Sequence, residues 1–152
     1  MPMNKSPNSA LVRILINHQG NPPRSGGSGF LISPRHILTS AHVVADALHI
    51  SHNTPEGPSQ PLYLDFPLLG SDDPLKAKVV KWYPMKKGDI GDIAVLKLSD
   101  NLPAGALPLP LLNGNNRFSG QNVRICGFSN GMNRGNWING NLGATRDTLY
   151  IQ

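Results

Sequence analysis

Short apolar runs separated by turn residues set the pattern of this chain. The run ALVRILIN, Ala10 to Asn17, is dense in Val, Ile and Leu and predicts a strand that ends in the turn-rich stretch QGNPPRSGG. A second strand is expected from Ser28 to Ser33. Pro34 and Arg35 then make a tight turn into a third, His36 to Ser40, so that a hairpin ends just before His42. The pattern AHVVADAL, Ala41 to Leu48, predicts a short helix with Ser40 available as its cap. His49 to Pro61 carries one Gly and three Pro and reads as a loop. Strands are expected again in LYLDFPLL from Leu62, KAKVVKWYP from Lys76 and DIAVLKL from Asp92, which brings the number to six by Leu98.

Six short antiparallel strands are what a closed Greek-key barrel requires, because closure removes unpaired strand edges. Ser99 to Ser119, with LPAGALPLPLL inside it, is too rich in Pro to be a central strand and reads as a crossover. Three more strands are expected beyond it, Gln121 to Phe128, Asn136 to Gly143 and Thr145 to Gln152. Three strands cannot close a second barrel. The expected division is therefore a first barrel over residues 1–98, a crossover over 99–119 and the first strands of an incomplete second barrel over 120–152. The fold class is all-β.

Composition agrees with that picture. The 152 residues include 16 Gly and 14 Pro, with 39% apolar and 15% charged positions, a balance that favours many strands and turns over long helices. The formal charge of +5 raises nucleic acid as a partner, but the basic residues are scattered. The densest pair is Lys86 and Lys87, and no aromatic interleaving of the kind that stacks bases accompanies it. Cys126 is the single cysteine, so no intrachain disulfide can form and a reducing, cytoplasmic setting is expected. The apolar run near the N-terminus is broken by Arg13 and is too short to span a membrane. Among the histidines only His49 and His52 approach metal-ligand spacing, and no metal site is expected.

The candidate chemistry lies in GSGFLISPRHILTSAHVV, Gly27 to Val44, and in DIAVLKL. These stretches, with TSAHVV at their centre, resemble the chymotrypsin/trypsin-like serine proteases. The resemblance implies a double Greek-key β-barrel in which His42 is the general base and Asp92 its orienting partner. His42 and Asp92 stand 50 residues apart in the expected order, against about 45 in that family. Asp89, in GDIGDIAVL, is a competing carboxylate. Only Asp92 leads directly into the apolar strand, and Asp89 is assigned to the surface.

The nucleophile is the missing element. GFSNG, Gly127 to Gly131, has the G-x-S-x-G form of a nucleophile elbow, but His and Asp precede Ser129 and no helical pattern follows it. Ser129 is read as a loop residue. Only 60 residues follow Asp92, while the family's serine falls about 93 beyond its Asp. No catalytic nucleophile is expected within the chain, and the resemblance puts it beyond Gln152.

Val43 stands where secreted members commonly carry a bridging cysteine, and no Ile-Val-Gly-Gly start is present for activation by cleavage. FLISPRHILTSAHVVADAL, LDFPLL and LPAG look most like bacterial intracellular trypsin-like effector domains attached to nucleotide-binding or WD40 modules. The expected function is that of a trypsin-like serine endopeptidase domain acting on protein or peptide substrates without a cofactor, the present chain being inactive alone. The alternatives are a catalytically inactive protease-fold interaction module and a basic β-barrel that binds nucleic acid.

Overall fold

A computed structural model describes residues 6–20, 22–88, 90–111, 118–129, 134–144 and 149–151. Six strands close into an antiparallel barrel: β1 (Leu11–Asn17), β2 (Arg24–Leu31), β3 (His36–Thr39), β4 (Leu62–Phe66), β5 (Ser71–Tyr83) and β6 (Ile93–Leu98). Their order around the barrel is β1-β2-β3-β6-β5-β4. Hydrogen bonding is complete around the circuit because β4 returns to β1 through the Arg13–Asp65 to Leu15–Tyr63 register. The only α-helix among the described residues is α1 (Ala41–Leu48). It follows β3 directly and inserts Val44 into the same core as Val12, Ile14, Leu64, Phe66 and Leu96.

The alternation that predicted strands also sorts their faces. In β6 Ala94, Leu96 and Leu98 are buried, while Ile93 and Lys97 are exposed. Leu102, Ala106 and Leu109 of the segment after β6 pack against the barrel core. The Leu109 N–H donates to the Leu31 carbonyl, which pins that Pro-rich stretch to the end of β2. A second sheet, order β7-β8-β9, consists of β7 (Asn122–Gly127), β8 (Asn136–Ala144) and β9 (Leu149–Ile151). It meets the barrel where the Phe128 N–H donates to Ser28 Oγ. The all-β class, the closed first barrel and the partial second sheet are as the sequence predicts.

Several expectations need correction. The second strand begins at Arg24, inside the stretch read as a turn, and ends at Leu31. The glycines that look like turn formers are there for close approach: a Cβ at Gly27 would lie 2.7 Å from both γ-methyls of Val43, and one at Gly26 would lie 2.6 Å from Ile16 Cγ1. Likewise β5 starts at Ser71 rather than Lys76 and runs through Pro74. The β4–β5 register shifts between Leu64 and Phe66, which marks the irregular pairing that accommodates the early start. Of the last predicted strand, Thr145 to Gln152, the structure describes Leu149–Ile151 as β9, and residues 145–148 and 152 lie outside the described residues.

One polar feature that no local pattern predicts is the Arg13–Asp65 pair. Both residues are buried, they face each other across β1 and β4, and Arg13 Nε donates to Asp65 Oδ1 at 2.9 Å. Arg13 reads as an interruption of an apolar strand. Its partner is 52 residues away and on another strand, so local pattern carries no trace of it.

Candidate active site

Two strand ends and one helix start build the site. His42 is the second residue of α1, immediately after β3, and Asp92 immediately precedes β6. Strands β3 and β6 are neighbours, with Thr39 opposite Ala94, so the barrel's own register brings the two residues together. Asp92 uses both carboxylate oxygens on His42: Oδ2 lies 2.7 Å from Nδ1, and Oδ1 accepts the His42 backbone N–H at 2.9 Å.

The second bond resolves the cap of α1. Ser40 occupies the cap position but makes no side-chain cap hydrogen bond, contrary to the expectation from sequence. The orphan N–H of the first helical turn is satisfied by Asp92, whose negative charge also suits the positive end of the helix. One carboxylate therefore fixes both the ring and the backbone of the same histidine.

Holding Asp92 there requires an uncommon backbone. Its φ is 63°, in the left-handed region, and the preceding Gly91 has φ 100°. Asp tolerates that region better than most residues do, and strained backbone of this kind clusters at functional sites. A Cβ at Gly91 would collide with the Pro84 carbonyl, so glycine is required at the step before the carboxylate.

The His42 side chain is 43% exposed and that of Asp92 18%, so the imidazole has one nitrogen against a sheltered carboxylate and the rest of the ring open to solvent. A carboxylate that already accepts a backbone N–H acts as an acceptor, which places the shared proton on Nδ1, and in the neutral ring Nε2 then carries the lone pair. An imidazole in that state can take a proton from an acidified O–H or S–H group. Among the described residues no hydroxyl or thiol is hydrogen-bonded to His42. Ser28 Oγ is engaged with Phe128, and Ser129 is an exposed residue beyond the end of β7. Asp89 lies outside the described residues.

Two cavities flank the pair. One of about 320 Å³ is bounded by Asp92, Ser28, Thr39, Ser40 and Cys126. Burial pushes the Cys126 thiol above its ordinary pKa, an effect that nearby Arg124 partly offsets, which leaves the sulfur protonated and unreactive near neutrality. The other, of about 290 Å³, is bounded by His42, His52, Asn53, Met85, Lys86 and Lys87. His52, read from sequence as a loop residue, has its ring centroid 6.0 Å from that of His42 and bonds Asp46 Oδ1 through Nε2 at 2.6 Å. Lys86 and Lys87 gave one signal in the sequence: a paired charge flanked by Pro84 and Gly88, immediately ahead of the strand that carries Asp92. The remaining three histidines lie elsewhere, His18 stacked on Tyr63, His36 bonded through Nδ1 to Ser33 and His49 exposed at the C-terminal cap of α1.

A closed six-stranded barrel with a histidine after its third strand and a carboxylate before its sixth defines the general class of two-barrel serine peptidases. The chain belongs to the trypsin-like peptidase domain family, whose model matches residues 27–150. No curated protein gives a significant match. Among solved structures, the active form of the Rv3671c protease from M. tuberculosis is similar at 23% identity and a TM-score of 0.58, over 94% of this chain and 52% of that one. Kallikrein-related peptidase 10 in complex with Zn2+ is similar at 15% identity and a TM-score of 0.59, over 96% and 63%. Human heparin binding protein is similar at 14% identity and a TM-score of 0.57, over 91% and 63%. These likenesses establish the fold. The chain spans between 52% and 63% of the lengths of the three.

Proposed function

We propose that this chain supplies the general base and the orienting carboxylate of a trypsin-like serine endopeptidase, with the nucleophilic serine carried by sequence beyond Gln152. The observation that carries the proposal is the double bond of Asp92 to the ring and the backbone of His42. In the reaction His42 Nε2 takes the serine Oγ proton as the oxygen bonds to the scissile carbonyl carbon. The imidazolium, stabilised by Asp92, returns that proton to the leaving amine as the C–N bond breaks. Water then repeats the sequence on the ester and releases the acid. The chemistry calls for no metal or organic cofactor.

In this reading residues 1–98 form the base-bearing barrel, 99–119 the crossover and 120–152 the opening strands of the second barrel. The exposed Ile125 and Ile138, paired across β7 and β8, support a sheet face that further polypeptide covers. The family relationship supports protein or peptide substrates. The stretches FLISPRHILTSAHVVADAL, LDFPLL and LPAG support an effector domain of a multidomain protein, and the single cysteine supports a reducing, cytoplasmic setting.

Labelling with a fluorophosphonate probe tests the proposal. A polypeptide that continues past Gln152 takes up the probe at one serine and loses it on His42→Ala, whereas the 152-residue chain takes up none. Equal labelling of the longer polypeptide with and without His42 would overturn the assignment. A second reading, an inactive protease-fold interaction module, is favoured by one observation: His42 has no hydroxyl partner among the described residues. Human heparin binding protein, similar in fold, is named for binding. This second reading requires that no serine of the longer polypeptide be labelled.

A further inference from the structure

The surface beside His42 is rich in exposed apolar side chains. Tyr83, Met85 and Ile90 are all substantially exposed, at 54%, 45% and 68%, and all fall within residues 83–90, just ahead of Asp92. An apolar concentration of that kind marks a contact surface. It adjoins a pair of lysines. The cavity against His42 is lined by Lys86 and Lys87, with His52 opposite. Its lining carboxylate, Asp92, is occupied by two hydrogen bonds to His42, and Asp46, behind His52, is occupied by that ring.

A second cavity, of about 380 Å³, shares Asn53, Met85 and Lys86 with the first and continues away from His42 between Pro55, Trp82, Tyr83 and Ile90. The two form one groove with a cationic compartment at the histidine and an aromatic, apolar compartment next to it. Its walls are firm. Lys86 N–H donates to the Ile90 carbonyl at 2.8 Å, closing a tight turn through Gly88, whose φ is 88°. On the opposite wall Trp82 Nε1 donates to the Thr54 carbonyl at 2.9 Å, tying the 50s loop to β5.

We propose that this groove binds an extended peptide segment carrying an acidic side chain, Asp or Glu, two residues from a large apolar or aromatic one. The acidic side chain lies against Lys86 and Lys87 and the apolar one against the Trp82, Tyr83 and Ile90 lining. Successive side chains of an extended strand point to opposite faces, and residues i and i+2, about 7 Å apart, share one face, so next-adjacent side chains reach the two compartments. The inference rests on the endopeptidase reading for its meaning as substrate preference, but the binding itself needs no nucleophile.

The test therefore measures association and not cleavage. Fluorescein-labelled decapeptides with Glu-Ser-Phe or Phe-Ser-Glu in a Gly-Ser-Ala background are titrated into the 152-residue chain, beside versions with Gln or Lys in place of Glu. At least one Glu peptide binds about fivefold more tightly than its Gln counterpart, with the Lys version weakest, and the advantage fades between low and high salt. The double variant Lys86→Glu/Lys87→Glu reverses the order, while Lys78→Glu, on the exposed face of β5, leaves it unchanged. Absence of binding, or equal binding of Glu and Gln peptides, would overturn the proposal. Either result leaves the probe-labelling test of His42 untouched, and failure of that labelling leaves the peptide preference standing.

Discussion

Asp92 holds His42 twice, through Nδ1 at 2.7 Å and through the backbone N–H at 2.9 Å, and the second contact makes the carboxylate the missing cap of α1. The backbone bond holds the carboxylate beside the ring independently of the ring's own bond. The two bonds respond differently to substitution, which separates the roles.

Asp92→Asn keeps a carbonyl oxygen for the backbone N–H and tolerates the positive φ, but can present N–H₂ to Nδ1. The imidazole then carries its proton on Nε2 instead of Nδ1. Nitrogen-15 correlation spectra of His42 in the 152-residue chain will show that exchange of tautomer with little loss of thermal stability. In a polypeptide that also carries the nucleophile, kcat falls by about 10⁴-fold.

Gly27→Ala places a methyl group 2.7 Å from both γ-carbons of Val43, the residue next to His42. Overpacking of a buried site of this kind costs about 2 kcal/mol. Val43→Ala opens the space, so the double variant is less destabilised than the sum of the single changes by about 1 kcal/mol or more. Urea midpoints of the four proteins provide the cycle.

Arg13→Met leaves the buried Asp65 carboxylate without its bidentate partner and destabilises the barrel by about 3 kcal/mol. Asp65→Leu in the same background recovers at least half of that loss, because it removes the uncompensated charge. Equilibrium unfolding in urea distinguishes this from a pair that contributes nothing.

Cys126 has its pKa raised by burial, so the folded chain holds a proton that the unfolded chain releases at lower pH. Its contribution to stability is complete below the ordinary thiol value of 9.0 and declines as pH rises through the folded-state value. Alkylation by iodoacetamide at pH 8 is accordingly slower in the native chain than in urea. Cys126→Ser flattens the alkaline loss of stability.

The barrel was legible because its apolar alternation is local, and His42 and Asp92 because each abuts such a run. What escaped reading depended on distant partners. Gly26 and Gly27 look like turn residues until Ile16 and Val43 are seen against them. Ser40 looks like a cap until the carboxylate of Asp92, just ahead of β6, accepts the helical N–H. Lys86 and Lys87 read as scattered surface charge because their significance comes from a cavity shared with His42 and His52, which the chain assembles from three segments. A strand that includes Pro74 is invisible to propensity, since the irregular pairing that tolerates it is set by β4.

The central claim is that His42 is a general base awaiting a serine, and cleavage of a protein substrate tests it most directly. A polypeptide extending beyond Gln152 should cleave, and His42→Ala should reduce kcat by about 10⁴-fold or more, while the 152-residue chain alone cleaves nothing. His42-dependent cleavage by the 152-residue chain alone, or undiminished cleavage by the longer polypeptide without His42, would contradict the account.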